Sequence, residues 1–242
     1  MAQGEIDQQE KIFYQNEKSL SFALTSTGWA VNGRYAKRIN AARKIIYDAD
    51  FAILKHPKEV RVPNGYSSAF GNFVYGKRNI VMDLRLGYGK QLEIFRKFDI
   101  GGVSIRHFHS IGVSMALLKP VYYDYYFGSN QTKTLKFDKK YSNEILERAS
   151  FFKGFDELNL VPGLFFRLGL CFEYSQSNRV IHAIEAGVVF DAFPKKLEMM
   201  ADTDNSWFFT SLFISYRFGK VFDPSERKAT KKKNKKKEEY YY

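Results

Sequence analysis

Within the stretch Trp207–Phe218, the side chains from Leu212 onward alternate strictly between two kinds with a period of two. Its two faces consist of Leu212, Ile214, Tyr216 and Phe218 on one side and Phe213, Ser215 and Arg217 on the other. Successive side chains of a β-strand point to opposite faces of a sheet, so this pattern predicts a strand with one wholly apolar face. A chain that repeats such a segment must form a sheet whose two sides meet different surroundings.

The same alternation recurs along the chain and predicts about eight strands over residues 18–218. It begins near Ser19 and is clearest within 80–89, 103–117 and 164–174. We also predict a two-residue hairpin turn at Asn32-Gly33, because a type I′ turn needs positive φ at both central positions. Residues 128–162 form a long polar insertion, with a short helix predicted over 142–152. A meander of this kind predicts an all-β, up-and-down antiparallel β-barrel.

Composition excludes several other classes of protein. No apolar run reaches the ~18 to 20 residues that a spanning helix needs. The single cysteine, Cys171, excludes an intramolecular disulfide and a Cys-rich zinc site. The net charge is +12, but residues 227–242 supply half of it, with eight bases against two acids. Half of the excess positive charge therefore belongs to the tail and not to the folded part of the chain, and no nucleic-acid partner is predicted.

The second face of the strands combines small residues with ions of both signs. Arginine supplies its bases, although lysine is abundant elsewhere in the chain. A planar guanidinium suits buried carboxylate pairs, whereas lysine is the usual choice in water. We therefore predict that this face lines a lumen and that its ions form one closed network. The predicted lumenal network consists of Asp48, Asp50, Asp83, Arg85, Arg106, Arg167, Glu173, Glu185, Asp191 and Arg217.

The first face ends in aromatic side chains, as do the interfacial girdles of membrane barrels. We therefore predict a transmembrane barrel with long extracellular loops and an apolar side that contacts lipid. The predicted lipid-facing or girdle residues are Tyr47, Phe51, Leu84, Leu86, Tyr88, Leu168, Leu170, Tyr174, Ile214, Tyr216 and Phe218. Eight strands enclose just enough room for their own side chains, so we expect the barrel to be plugged and not to conduct.

One cluster of residues suggests catalysis as a rival hypothesis. His107, His109 and Ser110 lie close together, and a lipid-modifying hydrolase of the lipid A deacylase type would use a His as base and a Ser as nucleophile. The alternation places both imidazoles on the apolar face and Ser110 on the other. We therefore predict no enzyme, no catalytic residue and no cofactor. Two histidines without a third ligand nearby also predict no metal site.

The charged face is compatible with two further hypotheses. Its carboxylates could form an acid/base or calcium site, although inward carboxylates paired with arginine favour a structural role; those considered are Asp48, Asp50, Glu173 and Glu185. A soluble ligand-binding β-barrel would instead place the apolar face inside and the charged face in water. The soluble barrel and the membrane barrel make opposite predictions about burial.

The two ends of the chain are predicted to lie in the periplasm. Residues 1–17 form a lead-in, and residues 219–242 form a disordered Lys-rich tail. No apolar signal-peptide core follows Met1, and the Ala2-Gln3 start resembles a mature end, so we expect that a signal peptide has been removed. The tail either binds anionic periplasmic partners or serves only as a solvated appendage. The loops 128–162 and 194–206 would then face outside.

Several segments resemble a family of small, largely uncharacterised outer-membrane proteins of Bacteroidota. They are NGRYAKRIN (32–40), ADFAILKHPKEV (49–60), LRLGYGKQ (84–91), ALLKPVYYDY (116–125), ASFFKGF (149–155) and FISYRFGKVFDP (213–224). The resemblance implies an integral barrel in the outer membrane of a Gram-negative envelope and carries over no catalytic residues. By analogy it implies a structural or accessory subunit of an envelope complex for barrel assembly or protein secretion. Such a subunit would contact membrane lipids and other outer-membrane or periplasmic proteins.

An aromatic patch follows the strand that ends near Leu118. Aromatic-rich surfaces beside a membrane are common recognition sites. We therefore expect a partner contact formed by Lys119, Tyr122, Tyr123, Tyr125 and Tyr126.

Overall fold

The computed structural model of the protein describes residues 15–63, 72–97, 101–128, 132–177 and 179–222. Strands make up most of these residues, together with one short 3₁₀ helix at Lys139–Glu144. In chain order the strands are β1 (Asn16–Thr25), β2 (Gly28–Arg38), β3 (Arg43–Leu54), β4 (Arg61–Val62), β5 (Phe73–Val74), β6 (Asn79–Phe95), β7 (Ser104–Pro120), β8 (Tyr122–Tyr126), β9 (Thr132–Lys136), β10 (Ile145–Arg148), β11 (Asn159–Glu173), β12 (Val180–Ala192) and β13 (Phe208–Phe222).

Eight of these strands form a closed barrel in the order β1-β13-β12-β11-β7-β6-β3-β2. Every neighbouring pair is antiparallel, and β1 closes the barrel by pairing with β13 from Asn16↔Phe222 to Thr25↔Phe213. Consecutive barrel strands are neighbours throughout, so the topology is up-and-down. The prediction of an antiparallel barrel of about eight strands is confirmed, and closure gives each strand a hydrogen-bonded neighbour on both sides.

The two ends of the barrel differ in the length of their connections. At the end that carries Asn16 and Phe222, which we call the terminal end, the strands join through residues 39–42, 96–103 and 174–179. At the opposite end, which we call the loop end, they join through the two residues 26–27 and through the long segments 55–78, 121–158 and 193–207.

The described residues of the three long segments fold into what we call the cap: 55–63, 72–78, 121–128, 132–158 and 193–207. It contains a β10-β8-β9 sheet and a β4-β5 pair. The segment 193–207 turns into the barrel mouth, where Phe193, Leu197 and Met199 pack against inward side chains such as Val81 and Leu118. The cap therefore closes the loop end with an apolar plug.

Two local predictions were wrong. The helix predicted over 142–152 is absent: the 3₁₀ helix ends at Glu144 and β10 follows at once, because Ile145 is needed as a buried apolar residue of the cap. The hairpin turn predicted at Asn32-Gly33 lies inside β2, and the chain reverses at residues 26–27 instead. Asn32 has a lumenal role, since its side-chain oxygen accepts a hydrogen bond from Arg217.

The predicted domain limits also differ from the strand limits. The barrel begins at Asn16 rather than residue 18, and β13 continues past Phe218 to Phe222, because Asn16 and Phe222 pair across the closing seam. The polar insertion predicted at 128–162 corresponds to 121–158, with β11 starting at Asn159. The rest of the predicted lead-in and tail, 1–14 and 223–242, lies outside the described residues. No helix in the described part of the chain has the length and apolar character that crossing a membrane requires.

Candidate functional site: charged lumen, apolar belt and cap

The middle of the lumen holds a four-residue ionic group. Arg34 of β2 donates from Nε to Asp48 Oδ1 (2.7 Å) and from Nη1 to Glu185 Oε1 (2.8 Å). Arg217 of β13 donates to the same Glu185 carboxylate from Nε (2.7 Å) and Nη2 (2.9 Å). Its Nη2 also donates to Asn32 Oδ1 at 2.5 Å. All of these side chains are buried, so Glu185 joins two guanidinium groups across the barrel.

A second ionic group lies nearer the loop end. Arg85 binds Asp191 through two parallel hydrogen bonds, from Nε (2.7 Å) and from Nη2 (2.8 Å). The Arg85 Nε also lies 2.8 Å from Asp83 Oδ2. Arg167 Nη2 lies 2.8 Å from Asp50 Oδ2. In this group the Arg85 guanidinium lies between two carboxylates, whereas Arg167 is paired with Asp50.

A third ionic group lies at the terminal end. Glu17 pairs with Lys44 and lies 3.6 Å from Arg106 Nη1. Arg106 also pairs with Glu173, and Lys97 Nζ reaches the other oxygen of that carboxylate at 3.0 Å. Across the three groups the described lumen contains seven ion-paired cations and seven ion-paired carboxylates. The charge of the lumen is therefore balanced.

The structure places all ten residues of the predicted network inside the barrel, each less than a tenth exposed. Each carboxylate proposed for an acid/base or calcium site has a cationic partner, and no cluster of three or more potential metal ligands occurs among the described residues. Sequence reasoning missed four members, Glu17, Arg34, Lys44 and Lys97. Arg34 was missed because its strand was interpreted as a turn. Lys44 was missed because lumenal bases were assumed to be arginine. The alternation that Lys44 shares with Asp48 could have identified it.

Aromatic side chains fill the lumen between the ionic groups. Phe108, Phe165 and Phe213 point inward and are buried. Two of them fill the space above inward-facing glycines: an added Cβ at Gly87 would lie 2.6 Å from the Phe165 ring, and one at Gly169 would lie 2.8 Å from the Phe108 ring. The lumenal cavity that remains beside Asp50 and Arg217 has a volume of about 20 Å³, which is room for a single water molecule.

The outer face of the barrel strands, which we call the belt, is apolar and exposed. Leu86, Leu212 and Ile214 are 64%, 62% and 56% exposed, whereas Arg85 and Asp83 are 3% and 0% exposed. All eleven predicted lipid-facing or girdle residues point outward, with Phe51 and Leu168 half-buried and the other nine exposed. This is the reverse of the arrangement that a soluble ligand-binding barrel requires, because such a barrel buries its apolar face and solvates its ions.

Aromatic rings form two bands around this outer face. Near the terminal end, Tyr35, Tyr47 and Tyr88 are in successive contact, with ring centroids 6.2 and 5.6 Å apart. Near the loop end, Phe166, Phe190 and Phe208 stack at 6.4 and 6.1 Å. On β13 the bands are marked by Phe208 and Tyr216, which are about 27 Å apart along the strand at ~3.4 Å per residue. Such bands are typical of the two interfaces of a membrane barrel.

The cap buries most of the residues that were expected to contact a partner. Lys119 is 1% exposed, and its ammonium donates to the Lys153 carbonyl (2.8 Å) while lying 5.0 and 5.2 Å from the Phe151 and Phe155 ring centroids. These contacts hold the segment before β11 against the barrel rim. Lys119 therefore stabilises the cap, whereas its contact with a partner stays a prediction.

The tyrosines of β8 divide between the inside and the outside of the cap. Tyr123 and Tyr125 are 1% and 0% exposed, and the Tyr123 hydroxyl donates to the Val74 carbonyl at 2.8 Å. Burial raises the pKa of both hydroxyls, which keeps them protonated as donors. The cap folds over both side chains, and their contact with a partner stays a prediction. Tyr122 is half-buried and donates to Glu157, and Tyr126 is 36% exposed.

The residues of the hydrolase hypothesis lie on opposite faces of β7. Ser110 is buried in the lumen, whereas His109 is exposed on the outer face and His107 is half-buried there. The two imidazole centroids are 5.6 Å apart. In the described part of the chain, no serine hydroxyl hydrogen-bonds to a histidine ring. The geometry therefore does not bring this base and this nucleophile together.

Comparisons with known proteins give distant structural likenesses. No family model and no curated protein matches the chain. The N-terminal β-barrel domain of Pseudomonas aeruginosa OprF is 8% identical, covering 86% of this chain and 98% of that domain, with a TM-score of 0.38. Neisserial surface protein A is 12% identical, covering 86% and 95%, with a TM-score of 0.38. The Yersinia pestis attachment invasion locus protein Ail, in complex with sucrose octasulfate, is 10% identical, covering 86% and 95%, with a TM-score of 0.37. Because these TM-scores are low, the fold is assigned from the strand pairing of this chain and not from its likeness to the three structures.

Proposed function

We propose that the protein is an integral β-barrel of a Gram-negative outer membrane, with lipid around its belt and a charge-balanced, sealed lumen. The observation that carries this proposal is the inverted burial: the ions lie inside the barrel and the large apolar side chains outside. In water, this arrangement would expose a continuous apolar ring around the molecule, which a soluble monomer does not tolerate. In a bilayer, the closed barrel satisfies every strand edge without water.

The direction of insertion follows from the two ends of the barrel. Membrane barrels have short turns on the periplasmic side and longer loops outside. The terminal end would therefore face the periplasm, together with the tail beyond β13, and the cap would face outside.

The role that best fits a sealed barrel is non-enzymatic. A cavity of about 20 Å³ gives no path for solutes, so the parts of the molecule left to act are the belt, the cap and the tail. We therefore propose a structural or accessory subunit of a larger envelope complex, of the kind that assembles barrels or secretes proteins. The exposed cap residue Tyr126 is the predicted contact that remains most available to a partner.

Membrane extraction and native purification test the two parts separately. We expect the protein to stay with membranes after alkaline carbonate treatment and to require detergent for solubility; release into the aqueous fraction would contradict membrane insertion. We also expect cross-linking in native membranes to recover other envelope proteins with it. Tyr126→Ser should reduce that recovery, whereas the control Val60→Ser, which changes a 65% exposed apolar residue elsewhere on the cap, should not. A protein that is always recovered alone would contradict the subunit role only.

A further inference from the structure

The outer side of the barrel carries two concavities along the same neighbouring strands. The upper one, about 450 Å³, lies where the cap meets the outer faces of β2, β3 and β6, with Trp29 and Ile53 in its wall. The lower one, about 730 Å³, lies on the outer face over β1, β2, β3, β6 and β7, with Lys18, Ala49 and Leu86 among its lining residues. The two share strand β3, on which Ile53 and Ala49 are separated by about 14 Å at ~3.4 Å per residue.

The upper concavity is strongly basic. Its lining contains four cations, Lys55, Arg61, Lys77 and Arg148, and one acid, Glu59, so its net charge at pH 7 is +3. Glu59 is already engaged, because Lys77 Nζ lies 2.5 Å from its carboxylate. Within the described residues, Lys55, Arg61 and Arg148 have no carboxylate partner, and all three are exposed.

These cations are close enough to repel one another. Burial lowers the pKa of Lys77, and the neighbouring Arg148 and Lys55 lower it further, against the opposing effect of Glu59. A cluster that remains positive and unneutralised at this place is complementary to a multiply charged anion. The aromatic rings of Trp29 and Phe151 beside it are the kind that lie at the headgroup level of a bilayer.

The lower concavity is a groove made by small residues between large ones. Gly33 and Ala49 are paired across β2 and β3, and the tyrosines 35, 47 and 88 form its edge toward the terminal end. Glycine is not required at this place by backbone packing, since a Cβ built on Gly33 would meet only the Ala49 carbonyl oxygen at 3.9 Å. The small side chains therefore leave a depression that an extended apolar chain fits.

We propose that the two concavities together bind one phosphorylated lipid of the outer leaflet, with its phosphate between Lys55 and Arg148 and an acyl chain in the Gly33–Ala49 groove. The inference rests on the membrane placement proposed above. The charged site lies above the apolar one on a single face, which is the order of polarity in such a lipid. Charge-assisted contacts to phosphate supply the recognition, and burial of methylene groups supplies the remaining affinity.

The test uses the full chain in phosphatidylcholine nanodiscs that contain a small fraction of bisphosphorylated lipid A. After release into detergent, native mass spectrometry counts the lipid A retained per protein, and the same lipid without its phosphates is the comparison. We expect one retained lipid A and little retention of the dephosphorylated form. The double variant Lys55→Gln/Arg148→Gln should lower retention about tenfold, since two charge-assisted contacts are lost. The control Lys140→Gln/Lys195→Gln removes two charges elsewhere on the cap and should leave retention unchanged.

A second pair of variants tests the groove. Gly33→Leu should fill it and lower retention, whereas Ala186→Leu, on the outer face of β12, should not. Equal retention of both lipids, an unaffected Lys55→Gln/Arg148→Gln variant, or full displacement by inorganic phosphate would overturn the lipid site. Failure of the chain to enter nanodiscs would overturn the membrane placement as well, so the two failures are distinguishable.

Discussion

Single carboxylates organise the lumen by serving more than one cation. Glu185 accepts hydrogen bonds from both Arg34 and Arg217, and Glu17 and Glu173 each serve two cations at the terminal end. Removing one partner of a buried ion pair costs more than the pair contributes, because the remaining charge keeps its desolvation penalty. The shared carboxylates are therefore the positions at which the barrel is most sensitive to substitution.

We expect Glu185→Gln to lower the free energy of unfolding by about 3 kcal/mol, because two buried guanidinium groups lose their shared anion. Urea titration in lipid vesicles, followed by tryptophan fluorescence, measures the change. The matched control is Ser215→Ala on the facing position of β13. The Ser215 hydroxyl makes no hydrogen bond with the described residues, so its removal should change stability by less than about 0.5 kcal/mol. Equal effects of the two substitutions would contradict the ionic network.

Two glycines offer a sharp contrast in packing. A Cβ at Gly112 would lie 2.0 Å from the Leu86 carbonyl oxygen, a backbone atom that cannot move aside, whereas one at Gly33 would only touch the Ala49 carbonyl oxygen at 3.9 Å. We expect Gly112→Ala to lower the unfolding free energy by about 1 to 3 kcal/mol. Gly33→Ala should be neutral or raise it by less than about 1 kcal/mol. The same urea titration compares them, and a destabilising Gly33→Ala with a tolerated Gly112→Ala would refute the packing.

At the scale of elements, each barrel strand has one row of side chains that faces the lumen and one row that faces outward. On β13 the outer row from Phe208 to Phe218 is exposed in every member, while the inner row from Phe209 to Arg217 is buried. Substitutions in the outer row of β13 can therefore be compared with one another by their depth in the proposed bilayer.

Leu212 lies between the two aromatic bands on β13, and Phe218 lies beyond Tyr216 at the terminal end. We expect Leu212→Arg to cost about 2 to 4 kcal/mol of stability in lipid, and Phe218→Arg about 0 to 1 kcal/mol, because the penalty falls with distance from the midplane. Unfolding titrations of both variants in the same vesicles measure this. A cost that does not depend on depth would argue against a bilayer around the belt.

The cap is a separate element whose own segments, 121–128 and 72–78, are joined by hydrogen bonds. The Tyr123 hydroxyl donates to the carbonyl oxygens of Val74 (2.8 Å) and Lys77 (3.1 Å). We expect Tyr123→Phe to speed amide hydrogen exchange in residues 73–77 about tenfold, which corresponds to one lost hydrogen bond, without changing exchange in the barrel strands. Tyr122→Phe, which removes a surface hydroxyl, is the control and should change neither. Unchanged exchange in Tyr123→Phe would show that the cap is held by its apolar contacts alone.

At the scale of the whole molecule, the barrel is closed twice, by the side chains that fill its lumen and by the cap at its loop end. Ionic groups and inward phenylalanines fill the tube, and the segment 193–207 fills the mouth. We expect no stepwise conductance when the purified chain is added to planar lipid bilayers, although its mobility on gels should change on heating as the barrel unfolds. Reproducible channel events from the folded form would contradict a sealed lumen.

The sequence predicted the barrel well and the cap poorly, for a physical reason. Alternation is a local property, and both faces of β11 or β13 can be assigned from one segment because the pleat alone decides which side chains share a face. The turn at Asn32-Gly33 was predicted from local propensity, but the lumen uses Asn32 as an acceptor for Arg217, and tertiary contacts outweigh turn preference. The helix over 142–152 failed for the same reason, since Ile145 packs into the cap.

What the sequence by itself determined is an antiparallel barrel of about eight strands and the identity of its two faces, because these follow from a period of two and the chemistry of each row. Only the tertiary structure decided which ions share a carboxylate, that Lys97 joins the network from a connecting segment, and that Lys119, Tyr123 and Tyr125 lie beneath the cap. Those facts depend on register and on loops folding back across the rim. They bring together residues distant in the chain, and no local pattern encodes such distances.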